Sequence, residues 1–253
     1  NRIELEDSND DEIHKMASTF NEMLDTVEEV FIHEKQFSSD VSHELRTPIT
    51  VILAQSDYAL QYSDTFEEAK ESLEVINRHA KRMTNLINQI MELSKLERQK
   101  EIEKEKINLS NIVLQLLEDY KPLLESKNLN LIYNVEKDIR IQGNKIMLER
   151  VFLNILMNAV KFTKTNIEVS LTREGKTAVL KIRDDGIGIS EENKKFIWER
   201  FYQVNDSRNK EENKGSGLGL SMVKKIVDLH SATIDLESEI EQGTCFTIKF
   251  NMQ

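Results

Sequence analysis

Apolar residues recur every three or four positions near the start of the chain: Ile13, Met16, Phe20, Met23, Val27, Val30, then Phe37, Val41 and Leu45. Glu34 is the one polar interruption. This is a sustained heptad seam, and it predicts a helix that pairs with another helix, most simply its symmetry mate. The helix is expected to run to about Tyr62, where Ser63 and Asp64 break it and can cap the next. A second helix over 66–98 places Leu73, Ile76, Ala80, Met83, Ile87 and Ile90 on one face. A lone antiparallel pair cannot bury both stripes, so a dimeric four-helix bundle is the natural arrangement.

The pattern then changes. Residues 97–106, ERQKEIEKEK, carry charge without a core and read as a linker. An amphipathic helix begun by Ser110 covers 110–126, and β-like runs follow at 130–135 and 139–142. Asn144 caps a helix to about Phe162, and strands at 166–173 and 177–184 flank a Glu-Gly-Lys turn. A short helix near 194–201, a polar stretch 203–214, a helix 217–229 and strands near 232–238 and 244–250 complete the chain. Helices on one side and a mainly antiparallel sheet on the other predict a two-layer α/β sandwich. The fold class is multidomain, α followed by α+β. The expected division is 1–34, a signalling helix; 35–100, the dimerising hairpin; 101–108, a linker; and 109–253, the sandwich domain.

Composition sharpens the contrast between the halves. All eight glycines of the 253 residues lie at or after Gly143, and five fall within 186–219. The glycine-free first half favours helix, and the later cluster marks loops needing unusual backbone freedom. A net charge of −11 argues against non-specific nucleic-acid binding, which requires Lys and Arg to neutralise phosphates. The single cysteine, Cys245, makes no intrachain disulfide, so a reducing compartment fits. No apolar run reaches the ~20 residues of a membrane span. The first residue is Asn, and a piece of a longer protein is expected.

Four stretches carry candidate chemistry. In SSDVSHELRTPIT, 38–50, His43 stands two residues from Val41 and two from Leu45, so at ~100° per residue it points away from the seam into water. An exposed imidazole there is either an ordinary surface histidine or a nucleophile. In the 144–162 helix, Asn154, Asn158 and Lys161 share a face apart from Val151, Phe152, Ile155 and Leu156. An amide oxygen can ligate Mg²⁺ and an ammonium can neutralise phosphate; an ordinary polar face is the alternative. DDGIGI, 184–189, follows a strand; Asp184 offers an acceptor for an exocyclic amine. GSGLGL, 215–220, opens a helix, whose first N–H groups suit phosphate oxygens. It is neither the dinucleotide fingerprint nor a P-loop. The polar 203–214 stretch before it is expected to be a lid.

Taken together these stretches resemble the sensor histidine kinases of two-component systems. SHELRTP at 42–48 is similar to that family's H box, NILMNAVKFT at 154–163 to its N box, DDGIGI to the G1 box, IWERF at 197–201 to the F box, GSGLGL to the G2 box and GTCF at 243–246 to the last glycine box. Upstream, DDEIHKMASTFNEML resembles the end of a HAMP module, which joins such kinases to a membrane-spanning sensor. The resemblance implies a Bergerat-type ATP-binding fold and ATP with Mg²⁺ as cofactors. His43 would be the phosphoacceptor, Glu44 its proton acceptor and orienter, Arg46 a helper, and Thr47 the residue associated with phosphatase activity. Asn158 would ligate Mg²⁺ with Asn154 nearby and Lys161 on phosphate. Asp184 would bind the adenine amino group, helped by Thr244 through water. Gly186 and Gly188 would shape that pocket, and Gly215, Gly217, Leu218, Gly219 and Leu220 would form the triphosphate loop. Lys195 and Arg200 are further candidates for the γ-phosphate. The implied partners are a second copy of the chain and the receiver domain of a response regulator, with no nucleic acid. The membrane enters only through an upstream segment, so the implied place is the cytoplasmic side of a bacterial membrane sensor.

Three positions depart from that family pattern. Asp185 stands where Asn is usual, Trp198 where Phe is usual, and Ser231-Ala232 where two glycines often follow the histidine. Two other readings stay open here: an ATPase of the gyrase, Hsp90 and MutL type, and a non-catalytic dimerisation module. Release of free phosphate without labelled protein would mark the first of these.

Overall fold

A computed structural model describes residues 12–204 and 215–252, the side chains of residues 12–14, 29, 30 and 33 excepted. Most of the expected lid, and the first part of the expected HAMP end, lie outside the described residues. The chain divides into two compact units, Asn1–Asn85 and Leu86–Gln253.

The first unit is a pair of helices. Helix α1 spans Glu12–Gln61 and contains Pro48 without ending there. Pro48 is buried, but it has no N–H for the carbonyl of Glu44, one turn back. Helix α2 spans Phe66–Arg98 and crosses into the second unit. Its start differs from the expected Ser-Asp cap. The Thr65 hydroxyl accepts from the N–H of Glu68 (3.3 Å), while the Glu68 carboxylate accepts from the N–H of Asp64 (3.0 Å). The Thr65 bond caps a first-turn donor, and the Glu68 carboxylate reaches back past Thr65 to the preceding residue, a variant of the capping box. The stripes remain largely uncovered in a single chain: Met16, Val27, Leu53 and Leu73 are each more than half exposed.

The second unit holds the sandwich. Strand β1 (Glu105–Asn108) pairs antiparallel with β3 (Arg140–Gly143). The end of the expected linker is therefore a strand, because Ile107 has a buried place to fill. Helix α3 spans Leu109–Ser126, and its cap is Asn108 rather than Ser110, with the Asn108 side chain accepting from the N–H of Asn111. Ser110 is instead drawn into the interior, where it donates to the carbonyl of Glu136 (2.6 Å) and accepts from the N–H of Ile139 (2.9 Å).

The main sheet has the order β2-β4-β5-β7-β6, from Asn130–Val135, Asn166–Glu174, Thr177–Asp184, Gly243–Asn251 and Thr233–Glu239. Strand β2 runs parallel to β4; the other pairings are antiparallel. Alternate residues Ile167, Val169 and Leu171 of β4, Leu180 and Ile182 of β5, and Phe246, Ile248 and Phe250 of β7 are buried. They meet Phe152, Ile155 and Leu156 of α4 (Lys145–Phe162) and Met222, Val223 and Ile226 of α6 (Gly219–Leu229) in one core. Burying each large side chain contributes roughly 1.5–3 kcal/mol. Asn144 caps α4 as expected, accepting from the N–H of Met147. The helix expected near 194–201 does not form: the helical residues are those of α5, Glu191–Lys194, and 195–201 are turns.

Helix α6 ends in a Schellman motif. The N–H of Ser231 donates to the carbonyl of Asp228 and that of Ala232 to the carbonyl of Val227, with Ser231 in the left-handed region at φ 55°. Glycine suits that position, so the Ser found here carries a backbone cost. Just before it, His230 is buried between the two helices. Its Nδ1 lies 2.8 Å from the carbonyl of Ile226, and its Nε2 accepts from the N–H of Asn144 (3.0 Å).

Candidate functional site

His43 lies on α1 and is exposed, whereas Phe37, Val41 and Leu45 are partly covered, so the ring faces away from the seam as the spacing predicts. Glu44 follows it and is half-buried, and Arg46 is exposed. Thr47 lies one turn further, its hydroxyl donating to the carbonyl of His43 at a long 3.4 Å. All of these belong to the first unit, and the remaining candidates belong to the second.

Asp184 ends β5 and is 6 % exposed. Burial pushes its carboxyl up to about 6, against hydrogen bonds from the main-chain amides of Gly186 and Thr244 that favour the charged form. Its Oδ1 accepts from the Gly186 N–H at 2.9 Å. A side chain at Gly186 would stand 2.2 Å from the carbonyl oxygen of Phe162, so only glycine lets this loop lie against the end of α4. Gly188 and Thr244 sit at the same end of the sheet, Thr244 opposite Asp184 in register.

Asp185, which sequence reasoning passed over as a departure, holds the loop next to these candidates in place. It accepts from the Thr163 hydroxyl (2.6 Å), the main-chain N–H of Lys164, Thr165 and Asn166, and the Asn166 side chain. Burial alone would raise its carboxyl; these donors hold it well below the usual carboxylate range. Asp185 thereby ties the loop after α4 to the end of β5. A second tie closes the far side of this loop. Lys164 donates to Glu241 at 2.6 Å, and the N–H of Glu241 donates to the carbonyl of Ile187 at 2.8 Å.

The glycine loop meets α4 directly. The Cβ position at Gly215 is 3.6 Å from Nζ of Lys161, and that at Gly219 is 3.0 Å from Oδ1 of Asn154. The structure thus brings Lys161 and Asn154 to the loop, with half-buried Asn158 between them on the same helix. Helix α6 begins at Gly219 and includes Leu220; Leu218 at its N-cap position makes no side-chain cap, while the N–H of Leu218 itself donates to the Ser216 hydroxyl at 3.2 Å. Gly217 has φ 71°, and its carbonyl accepts from the N–H of Phe201 (3.0 Å). Any side chain there would strike the Phe201 backbone at 2.5 Å. The amide of Gln203 reaches the carbonyl of Gly215 at 2.9 Å, so both ends of the 201–217 stretch are pinned together.

Two candidates are engaged elsewhere. Arg200 pairs with Glu97 at 2.5 Å, and Lys195 lies over the ring of Phe196 at 4.7 Å. Trp198 packs edge-on against Phe246, with ring centroids 6.0 Å apart. Among the described residues no cluster of three His, Cys, Asp or Glu could hold a metal. A hard cation here would have one amide oxygen from the chain, with phosphates and water completing its shell, as Mg²⁺ in nucleotide sites accepts. The donors present fit that role. No described helix is long and apolar enough to cross a membrane.

Two domain families match the chain. Residues 33–99 match the His Kinase A (phospho-acceptor) domain, and residues 143–253 match the histidine kinase-, DNA gyrase B- and HSP90-like ATPase domain. The sensor histidine kinase YkoH of Bacillus subtilis is 32% identical over 99% of this chain and 55% of its own length. The signal transduction histidine-protein kinase ArlS of Staphylococcus aureus is 32% identical over 99% of this chain and 56% of its own length. The chain thus spans about half the length of these relatives. Among solved structures, histidine kinase ThkA in complex with response regulator protein TrrA has the same fold at TM-score 0.73 and 21% identity, over 89% of this chain and 64% of that one. The Acinetobacter baumannii histidine kinase AdeS aligns at TM-score 0.65 and 22% identity, over 83% of this chain and 98% of that one. With a phosphoacceptor domain followed by an ATPase domain in this order, the chain belongs to the sensor histidine kinases.

Proposed function

We propose that the chain autophosphorylates His43 with ATP and passes the phosphoryl group to an aspartate on the receiver domain of a response regulator. The observation that carries this is the meeting of Lys161 and Asn154 with the uncapped start of α6, beside a buried carboxylate at Asp184. Orphan amides at a helix start and an ammonium bind phosphates; an acceptor set in an apolar wall binds an exocyclic amine.

The adenine end is held by Asp184 with Thr244, and Gly186 and Gly188 let the backbone approach it. Gly215 to Leu220 wrap the phosphates. Asn158 would hold Mg²⁺, which when bound would neutralise charge on the phosphate oxygens. A ring nitrogen of His43 attacks the γ-phosphorus. As the P–N bond forms, the bond to the β,γ-bridging oxygen breaks and ADP leaves with that electron pair. Glu44 takes the proton from the other ring nitrogen, the logic of an activated nucleophile. Positioning and charge neutralisation supply most of the rate.

The same reading divides the chain into the end of a HAMP module at 1–34, a homodimerising phosphotransfer hairpin at 35–100 and an ATP-binding domain at 109–253. It makes the chain the cytoplasmic portion of a bacterial membrane sensor. ThkA crystallised with its regulator, and ShkA with AMPPNP, support these partners by analogy.

The test is incubation with γ-labelled ATP. Acid-labile, alkali-stable label on the protein, absent in His43→Gln, is expected. Free phosphate with unlabelled protein would instead indicate a gyrase-type ATPase.

A further inference from the structure

One register row crosses three strands at the end of the core. Asp184 on β5 stands opposite Thr244 on β7, which stands opposite Ser238 on β6. The row before it on the same face is Ile182, Phe246 and Leu236. Three polar residues therefore terminate an otherwise apolar surface. Asp184 and Thr244 are buried, and Ser238 is half-buried.

The Ser238 hydroxyl has three neighbours. It receives the N–H of Ile189 at 2.8 Å, gives to the carbonyl of Gly243 at 2.9 Å, and lies 2.9 Å from Oγ1 of Thr244. A hydroxyl owns one proton and two lone pairs. The Ile189 amide can only donate, so it occupies one lone pair. The Gly243 carbonyl can only accept, so it takes the proton. What remains for Thr244 is the second lone pair, and Thr244 must donate into it. With its proton spent, Thr244 offers only lone pairs to anything else. Asp184 beside it, when ionised, is likewise only an acceptor.

We propose that Ser238 is a positioning residue that sets the polarity of Thr244, so that the base end of the nucleotide site presents acceptors alone and selects purines with an amine at position 6 over those with a carbonyl. This rests on the nucleotide reading above. Without Ser238, the Thr244 hydroxyl is free to turn its proton outward, directly or through a water, toward a 6-oxo group.

The experiment measures binding of ATP and ITP to the full chain by calorimetry, and autophosphorylation at saturating ATP. Wild type is expected to prefer ATP, and Ser238→Ala to narrow the ATP-to-ITP ratio by roughly 5–30-fold, the range expected when one buried hydrogen bond is misdirected. The maximal rate is expected to stay the same. Ser238→Thr, which keeps the hydroxyl, is expected to restore the ratio. Should the alanine variant not fold, Ser238→Cys keeps the volume with a weak donor, and the same narrowing is expected of it. Equal weakening of ATP and ITP, or no change in either, overturns the proposal while leaving ATP binding intact. Failure of the wild type itself to bind ATP overturns the reading beneath it.

Discussion

The backbone N–H of Asn144 donates to Nε2 of His230, and that bond fixes the imidazole as the tautomer protonated on Nδ1. The opposite ring nitrogen faces the Ile226 carbonyl and must donate. A second proton on Nε2 would set donor against donor at the point where the start of α4 meets the end of α6.

Burial pushes the pKa of His230 down, and Lys104 adds to this against the pull of the Ile226 carbonyl. The folded state therefore holds fewer protons than the unfolded chain just below pH ~6.5. Stability from this group is present above that value and lost as pH falls through the folded pKa. Thermal melts between pH 5 and 7.5 are expected to show it, and His230→Gln to flatten that dependence while costing about 1–3 kcal/mol.

Asp184 trades stability for binding. Its folded carboxyl titrates at about 6, above its unfolded value of 3.8. The folded state thus retains a proton across that window, and stability falls as pH rises through it. Asp184→Asn is expected to raise the melting temperature at pH 7, with a stabilisation on the order of 1–3 kcal/mol, yet to lose most ATP affinity. Wild-type affinity should itself weaken as the pH drops below about 6. An unaltered melting temperature with tight ATP binding would contradict this.

Asp185 behaves oppositely. Its donors favour the charged form, so its contribution is present above the ordinary carboxylate pKa and lost in acid. Asp185→Asn places an amide N–H₂ against groups that also donate. A loss of about 1–2 kcal/mol, allowing for solvent screening, is expected in urea unfolding at pH 7.

Ser231 occupies a left-handed position. Ser231→Gly is expected to stabilise the second unit by about 1 kcal/mol without altering nucleotide affinity. Calorimetry with and without ATP checks both halves.

Thr47 stands one turn past His43 and is exposed. Thr47→Ala is expected to spare autophosphorylation and to slow dephosphorylation of the phosphorylated regulator at least severalfold. Parallel loss of both activities would count against a separate role.

The long helices and the positions of the main-sheet strands were legible because period 3.6 and period 2 are imposed by burial on one face; the order β2-β4-β5-β7-β6 and the parallel pairing of β2 with β4 were not, because they depend on contacts distant in sequence. The exposed side of His43 followed from its neighbours Val41 and Leu45 alone. The caps were harder to read. Ser110 has the right chemistry for a helix start but is drawn inward by Glu136 and Ile139, partners distant in sequence. Asp185 read as a mere departure because its donors lie about twenty residues away, across a loop whose path no local pattern reveals. Ser238 was missed for the same reason: its meaning depends on strand register. Arg200 has the charge expected for a phosphate, and only the fold discloses its pairing with Glu97.

Helix α1 runs unbroken for 50 residues, about 75 Å, through Pro48. The missing amide at Pro48 removes one rung of an otherwise regular ladder, one turn beyond the residue that would bear the phosphoryl group. Twisting or flexing applied anywhere along such a rod concentrates where it is softest. The imidazole thus sits next to the joint at which mechanical work is most readily absorbed.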